Sequence, residues 1–458
     1  MDITIFSTEE EKKAYEKELL QMYLKEKTRS TFALAQYLTR IHSIITVGEK
    51  EREFFVYKDG VYVPAENDVI FPEIQRILGE HTTKQAKTET LHKIADMTNM
   101  PRSVFESVPV HLIPLRNGVW DREKRQLFPH SPIYRFTYQF PITYDEKATC
   151  EKSKAFLKQV LTDEQYETVV EWIGYYFYRL YSFKKALIFV GEGDTGKTTL
   201  LEVITHLLGR GNISSVSLQK LTGDKFSAAH LYRKHGNIVD ELSAKDINDT
   251  GNFKIATGGG SITGEYKFGN QFSFVNYSKF TFACNRIPDV KETDDVAYFN
   301  RWLIIRFEKT IAKKIPNFIA TLTTEEERSG LFNLAMGGLD RLLENGQFSF
   351  APDAQTTKME MMRSGSSIAQ FASDCLEYEQ DAEMTKEAMY DAYTQFCKES
   401  DISAETMKML GTKLPYYVTF IADGRITDTR GKQIRGWRNV RVKGTGPSEE
   451  LTKELHDF

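Results

Sequence analysis

The chain has 458 residues, enough for two to four domains of ordinary size and at least one large core. Its composition is that of a globular protein, 41% hydrophobic and 27% charged. The 60 Lys+Arg against 64 Asp+Glu leave a net charge of -4, which excludes a wholesale polybasic binder while leaving local basic patches open.

The first twenty residues alternate acids, lysines and apolar side chains, without the apolar core of a secretory leader. The most apolar runs, such as 186–191, are too short to span a bilayer. Cysteines at 150, 284, 375 and 397 form no C-x-x-C pair, which argues against a zinc knuckle or a disulfide framework. The expectation is a cytoplasmic protein with no membrane partner.

Helical spacing runs from Glu9 to Leu38. Two β-rich runs then flank Asp59-Gly60, a hairpin signal. Helical pattern returns over 68–100. Residues 115–130 read as short strands joined by an Asn-Gly turn and a charged turn, and 153–181 as helix ending in the aromatic run WIGYYFYRLY. From Lys185 the pattern alternates strand and helix to about 345. A linker is expected over 346–367. The last block reads as three helices and a β-hairpin, with a loose tail over 446–458. The expected units are thus an α+β region over 1–150, an α/β unit with a helical collar over 151–345, and a terminal module over 368–445.

Residues 191–198, GEGDTGKT, match G-x-x-x-x-G-K-[ST] in full, directly after the apolar run KALIFV and before a helical pattern. Glycines let the backbone N–H groups wrap phosphates, and the helix N-terminus adds partial positive charge. The expected nucleotide contacts are Gly191, Glu192, Gly193, Asp194, Thr195, Gly196, Lys197, Thr198 and Thr199. Lys197 would reach the β/γ-phosphates of ATP, and Thr198 would hold Mg²⁺. GNIVDEL (236–242) ends a β-branched run in two acids. Asp240 would sit near the metal, and Glu241 would polarise the attacking water. KFTFACNRIP (279–288) ends a third strand at Asn285, placed to orient that water or simply to make the turn before Pro288. Arg301, before the strand WLIIRF, either lies buried against Trp302 or reaches a neighbouring subunit's ATP as an arginine finger. Arg306 is its rival.

The order of these motifs, packed into the 95 residues from Gly191 to Asn285, resembles the superfamily 3 helicases of viruses and plasmids. Residues 253–279, with Thr257-Gly258-Gly259-Gly260, Ile262, Lys267, Phe274 and Lys279, resemble the poxvirus-type phage and plasmid helicase–primase branch. The likeness extends to residues 115–150 and to the carboxy-terminal block. It implies a P-loop AAA+-like α/β ATPase followed by a winged helix. It also implies a ring, usually hexameric, moving 3′→5′ on single-stranded DNA. Many relatives carry a primase domain ahead of the helicase. Here only about 115 residues precede NGVW, so a helicase without primase activity of its own is expected, with a separate primase or initiator as a partner.

YKFGNQFSF (266–274) suggests a hairpin about Gly269-Asn270. Lys267 and Phe268 near its tip would grip phosphate and stack a base in a pore, or the hairpin is an ordinary surface one with its phenylalanines turned inward. Lys254 would add a DNA contact or cap a helix face. Residues 423–443 hold seven Lys/Arg against two Asp, an excess of five. Arg435, Trp437, Arg438 and Arg441 are expected on duplex DNA as a basic wing, with 406–414 as a recognition helix; the alternative is a solvated hairpin face. The leading expectation is an ATP-dependent DNA helicase acting in replication. The alternatives are a P-loop initiator or loader that hydrolyses ATP without processive unwinding, a DNA-binding regulator, and a small-molecule kinase.

Overall fold

The computed structural model describes residues 8–48, 52–223, 225–242, 250–265, 271–288, 295–311, 315–400, 402–427 and 431–443. Helix α1 (Glu9–Lys25) starts where the Thr8 hydroxyl accepts from the Glu11 N–H, and three glutamates in its first turn suit the positive end of the helix dipole. It packs on α2 (Lys27–His42). Strands β1 (Ile44–Val47), β2 (Glu53–Lys58) and β3 (Val61–Pro64) follow. The hairpin of β2 and β3 closes through Asp59 and Gly60, both at positive φ (50° and 89°), as the Asp-Gly signal requires. Helices α3 (Phe71–Leu78) and α4 (Lys84–Thr98) complete a core around Leu34, Leu38, Ile74 and Ile94. The short β4 (Asn99–Met100) pairs parallel to β1. A three-stranded meander of β5 (Leu112–Leu115), β6 (Gly118–Asp121) and β7 (Gln126–Phe128) comes next, with the expected short turns.

Helix α5 (Glu151–Val160) leads to α6 (Asp163–Tyr175), which opens with a reciprocal capping box between Thr162 and Gln165. The aromatic run at the end of α6 is packing material. Trp172 Nε1 donates to Thr281 Oγ1 at 2.9 Å, and the Tyr176 hydroxyl meets the same oxygen at 2.5 Å.

The central sheet is built from β8 (Ala186–Val190), β9 (Ile213–Ser214), β10 (Gly236–Val239), β13 (Lys279–Cys284) and β14 (Trp302–Arg306). Its spatial order is β14-β8-β13-β10-β9, and all four neighbouring pairs are parallel. Strands β8 and β13 are buried at every position; β8 therefore reads as an unbroken apolar run, whereas β13, KFTFAC, alternates because its buried Lys279 donates to backbone carbonyls and its buried Thr281 accepts from Trp172. Around the sheet lie α7 (Lys197–Leu208), α8 (Leu218–Gly223), α9 (Lys225–Ala229), α10 (Gly251–Thr257) and α11 (Val296–Phe299). An antiparallel hairpin of β11 (Ser261–Glu265) and β12 (Gln271–Val275) precedes β13. Because the sheet is parallel, the ends of β8, β10, β13 and β14 share one edge, where an open α/β sheet places its ligands.

Helix α12 (Phe318–Leu322) precedes α13 (Glu325–Asn345), which lies along α6. Inside 346–367, expected as a linker, Ala354–Gly365 form helix α14, capped by Asp353 and anchored by buried Met361 in the central core. The final block contains α15 (Ser367–Cys375), β15 (Leu376–Thr385), α16 (Lys386–Glu399), α17 (Met407–Tyr417), β16 (Ala422–Thr427) and β17 (Gln433–Val442). The expected hairpin is thus a three-stranded antiparallel sheet in the order β15-β17-β16. Strand β15, LEYEQDAEMT, is the addition. Its acids face the arginines of β17, an arrangement that its own polar composition does not announce. Among the described residues, no helix is long and apolar enough to cross a membrane.

Candidate nucleotide site and nucleic-acid contacts

The chain leaves β8 at Val190 and turns through Gly191. A Cβ there would sit 2.4 Å from the Phe307 carbonyl oxygen, so only glycine lets the loop pass. Asp194 takes a left-handed conformation (φ 59°), and its carbonyl accepts from the Ile311 N–H at 2.9 Å. Gly196, at φ 98°, opens α7. The Lys197 ammonium donates to the carbonyls of Gly191 (2.6 Å) and Glu192 (2.7 Å), so the lysine closes the loop on itself. Burial lowers its pKa.

The expected partners converge on this loop. Thr198 Oγ1 donates to Asp240 Oδ1 at 3.2 Å across the gap between α7 and the end of β10. Glu241 follows Asp240 and is exposed. Strand β13 lies between β8 and β10 and is tied to both loops: the Gly191 N–H donates to Cys284 O (3.3 Å), and the Leu242 N–H to Ala283 O (2.8 Å). Asn285, the next residue after β13, therefore falls between the phosphate loop and the acid pair. Residues Gly193 to Thr199, Asp240, Glu241, Leu242, Cys284, Asn285 and Arg286 line one cleft of 790 Å³. Burial pushes the Cys284 thiol up to about 12, which leaves it a wall of the cleft and not a nucleophile. Sequence reading missed Arg286, although it stands beside Asn285 in NRIP.

Arg301 is not brought to this cleft. It stands before β14, whose first residue Trp302 pairs with Ala186, at the opposite edge of the sheet from the phosphate loop. Its Nε donates to Thr257 Oγ1 (2.8 Å), and its other nitrogens to the carbonyls of Lys254 (3.2 Å) and Ala297. It thus braces the end of α10, and burial lowers its pKa. Arg306 ends β14 opposite Val190 and is ion-paired to Glu360 of α14 at 2.7 Å.

Among the expected DNA contacts, Lys267 and Phe268 lie outside the described residues. The described strands of the hairpin end with Glu265 facing Gln271. Phe272 and Phe274 turn inward, each within 5.3 Å of the Tyr232 ring, as an ordinary hairpin would have them. Lys254 is held by Asp295 at 2.6 Å. Lys279 is wholly buried and donates to the carbonyls of Tyr178, Leu180 and Tyr277, tying β13 to the end of the collar.

The carboxy-terminal expectation needs correction. Trp437 is 2% exposed and packs in the module's core with Leu410, Leu414 and Val440, so it is not available to touch DNA. Period-2 alternation points it inward, under Lys386. Arg438 pairs with Glu383 (3.2 Å), and Arg441 with Glu377 and with Glu379 (3.3 Å). Strand β15 brings Glu377, Glu379, Asp381 and Glu383 beside the wing, which reduces the local excess from five positive charges to one. Arg435 remains exposed, opposite Arg425.

Residues 10–162 match the family model described as "D5 N terminal like", and residues 189–301 match "Family of unknown function (DUF5906)". A protein of Acanthamoeba polyphaga mimivirus named "Putative helicase" is 26% identical over 274 residues, 57% of this chain and 28% of that protein. Both models are typical of the poxvirus D5-type superfamily 3 helicase–primases, to which this chain is similar. The D5-type amino-terminal match covers the helical region and the meander, and the second match covers β8 to Arg301, including the cleft. The matched stretch spans little more than a quarter of the mimivirus protein's length. Two structures of the NrS-1 C-terminal region are similar in outline, with TM-scores of 0.48 at 12% and 13% identity. They cover 88% and 90% of this chain and 97% and 99% of theirs.

Proposed function

We propose that the chain is an ATP-dependent DNA helicase that works in replication as a homo-oligomeric ring on single-stranded DNA. The observation that carries this reading is the convergence of Lys197, Thr198, Asp240, Glu241 and Asn285 on one edge of the parallel sheet. The residues fit a magnesium nucleotide. The phosphate loop has the glycine that its close approach needs, and a hydroxyl and a carboxylate already meet at 3.2 Å where a hard cation takes oxygen ligands.

Lys197 exchanges its loop carbonyls for the β- and γ-phosphate oxygens, so the same ammonium that shapes the loop neutralises the nucleotide. Thr198 and Asp240 hold Mg²⁺, which when bound neutralises charge on the phosphates. Glu241 takes the proton of the attacking water, and Asn285 orients that water. Arg301 is the arginine offered to a neighbouring subunit, since its place at the far edge keeps it from its own chain's cleft. The AAA+-like core lies over 151–345, with the α+β unit over 1–150 ahead of it. Residues 368–445 form a winged-helix module that reaches duplex DNA through Arg435 and α17. Lys267 and Phe268 contact the translocating strand, and a separate primase or initiator completes the machinery.

A forked duplex tests this reading. Unwinding that needs hydrolysable ATP is expected, together with a nucleotide-dependent rise to ring size in solution. ATP hydrolysis without strand separation would instead favour the initiator or loader.

A further inference from the structure

The cleft contains a second cation besides Lys197. Arg286 lines it, is exposed and, among the described residues, has no ion-pair partner. The other two arginines at the ends of β14 are engaged, Arg301 at the opposite edge of the sheet and Arg306 with Glu360. Asp194, Asp240 and Glu241 make the cleft acidic, and Lys197 is its one other cation among the lining residues. A triphosphate brings further negative charge, and its γ-phosphoryl group carries more of it than either the α- or the β-group.

The position of Arg286 is fixed by its neighbours. Cys284 is 3% exposed and Ile287 is 1% exposed, with Pro288 buried after it. Asn285 and Arg286 therefore form a two-residue turn pinned at both ends and held out into the cleft. Because β13 lies between β8 and β10, this turn faces both the phosphate loop and the acid pair. A guanidinium so placed needs little reorganisation to meet charge spread over equatorial phosphate oxygens.

We propose that Arg286 is a catalytic residue acting in cis, its guanidinium binding the γ-phosphoryl oxygens and making the cleft prefer nucleoside triphosphate to diphosphate. The assignment rests on the nucleotide reading given above.

The test measures steady-state hydrolysis of ATP, and binding of fluorescent ATP and ADP analogues, by the full chain and by Arg286→Ala, Arg286→Lys and Lys197→Ala. Arg286→Ala should lower kcat by about 10²-fold, the order found for one lost electrostatic donor. Its ADP affinity should stay within about twofold, since the diphosphate lacks the group that the arginine meets. Arg286→Lys should recover part of the rate, which also guards against a folding defect in the alanine variant. Mixing Arg286→Ala with Lys197→Ala subunits should restore nothing, because a cis arginine fails in its own cleft. An Arg286→Ala rate within about twofold of wild type overturns the proposal while leaving the nucleotide reading intact. Recovery on mixing overturns the cis assignment. A wild-type chain that neither binds nor hydrolyses ATP removes the reading and the proposal together.

Discussion

The nucleotide cleft and the carboxy-terminal wing share one feature in the sequence: both set charged residues beside strands. They differ in what the fold does with the charge. In the cleft, Lys197, Asp240, Glu241, Asn285 and Arg286 sit just past or beside strand ends, and the parallel sheet gathers them on one edge. In the wing, Arg438 and Arg441 lie within β17 and are met across the ladder by Glu383 and by Glu377 and Glu379. Charge at a loop beyond a buried strand stays available for ligands. Charge inside an antiparallel ladder is partnered by its neighbour strand unless that neighbour is neutral or of like sign, as Arg425 is to Arg435.

Trp437→Ala is the hardest strike at this contrast. The ring fills the centre of the terminal core, so truncation should cost about 3–5 kcal/mol, read as loss of the module's thermal or denaturant transition. Weak destabilisation with reduced DNA affinity would return the tryptophan to the surface role that its sequence suggested.

A smaller effect separates the arginines of the wing from one another. Arg435→Ala should lower the salt slope of duplex binding by about 0.9, one phosphate contact, whereas Arg441→Ala should leave it nearly unchanged because two glutamates already hold that guanidinium. Equal slopes for the two variants would mean that DNA displaces the carboxylates and that the ladder does not decide availability.

How much was legible in the sequence follows the same division. The phosphate loop was readable because spacing alone specifies it, β8 because burial on both faces leaves an unbroken apolar run, and β13 from the alternation in KFTFAC. The acid pair after β10 was readable from its place after a β-branched run. Strand β15 was not: four acids in ten residues read as a polar surface, and its pairing with β17 spans more than fifty residues of sequence. The engagement of Arg301 was hidden for the same reason, since Thr257 is 44 residues away. Helix α14 was hidden because, among its described residues, Met361 is the one buried apolar side chain, too little periodicity to mark a helix. Arg286 was overlooked because a motif directs attention to Asn285 and away from the residue beside it.

The central claim is that one cleft binds ATP through Lys197 and breaks it through Glu241. The direct measurement is nucleotide binding and hydrolysis by wild type, Lys197→Ala and Glu241→Gln side by side, with and without single-stranded DNA. Wild type should hydrolyse ATP faster with DNA. Lys197→Ala should lose hydrolysis and show weakened binding, and Glu241→Gln should keep binding while its turnover falls about 10²–10⁴-fold, as expected for a lost general base. Unchanged turnover in both variants would contradict the account.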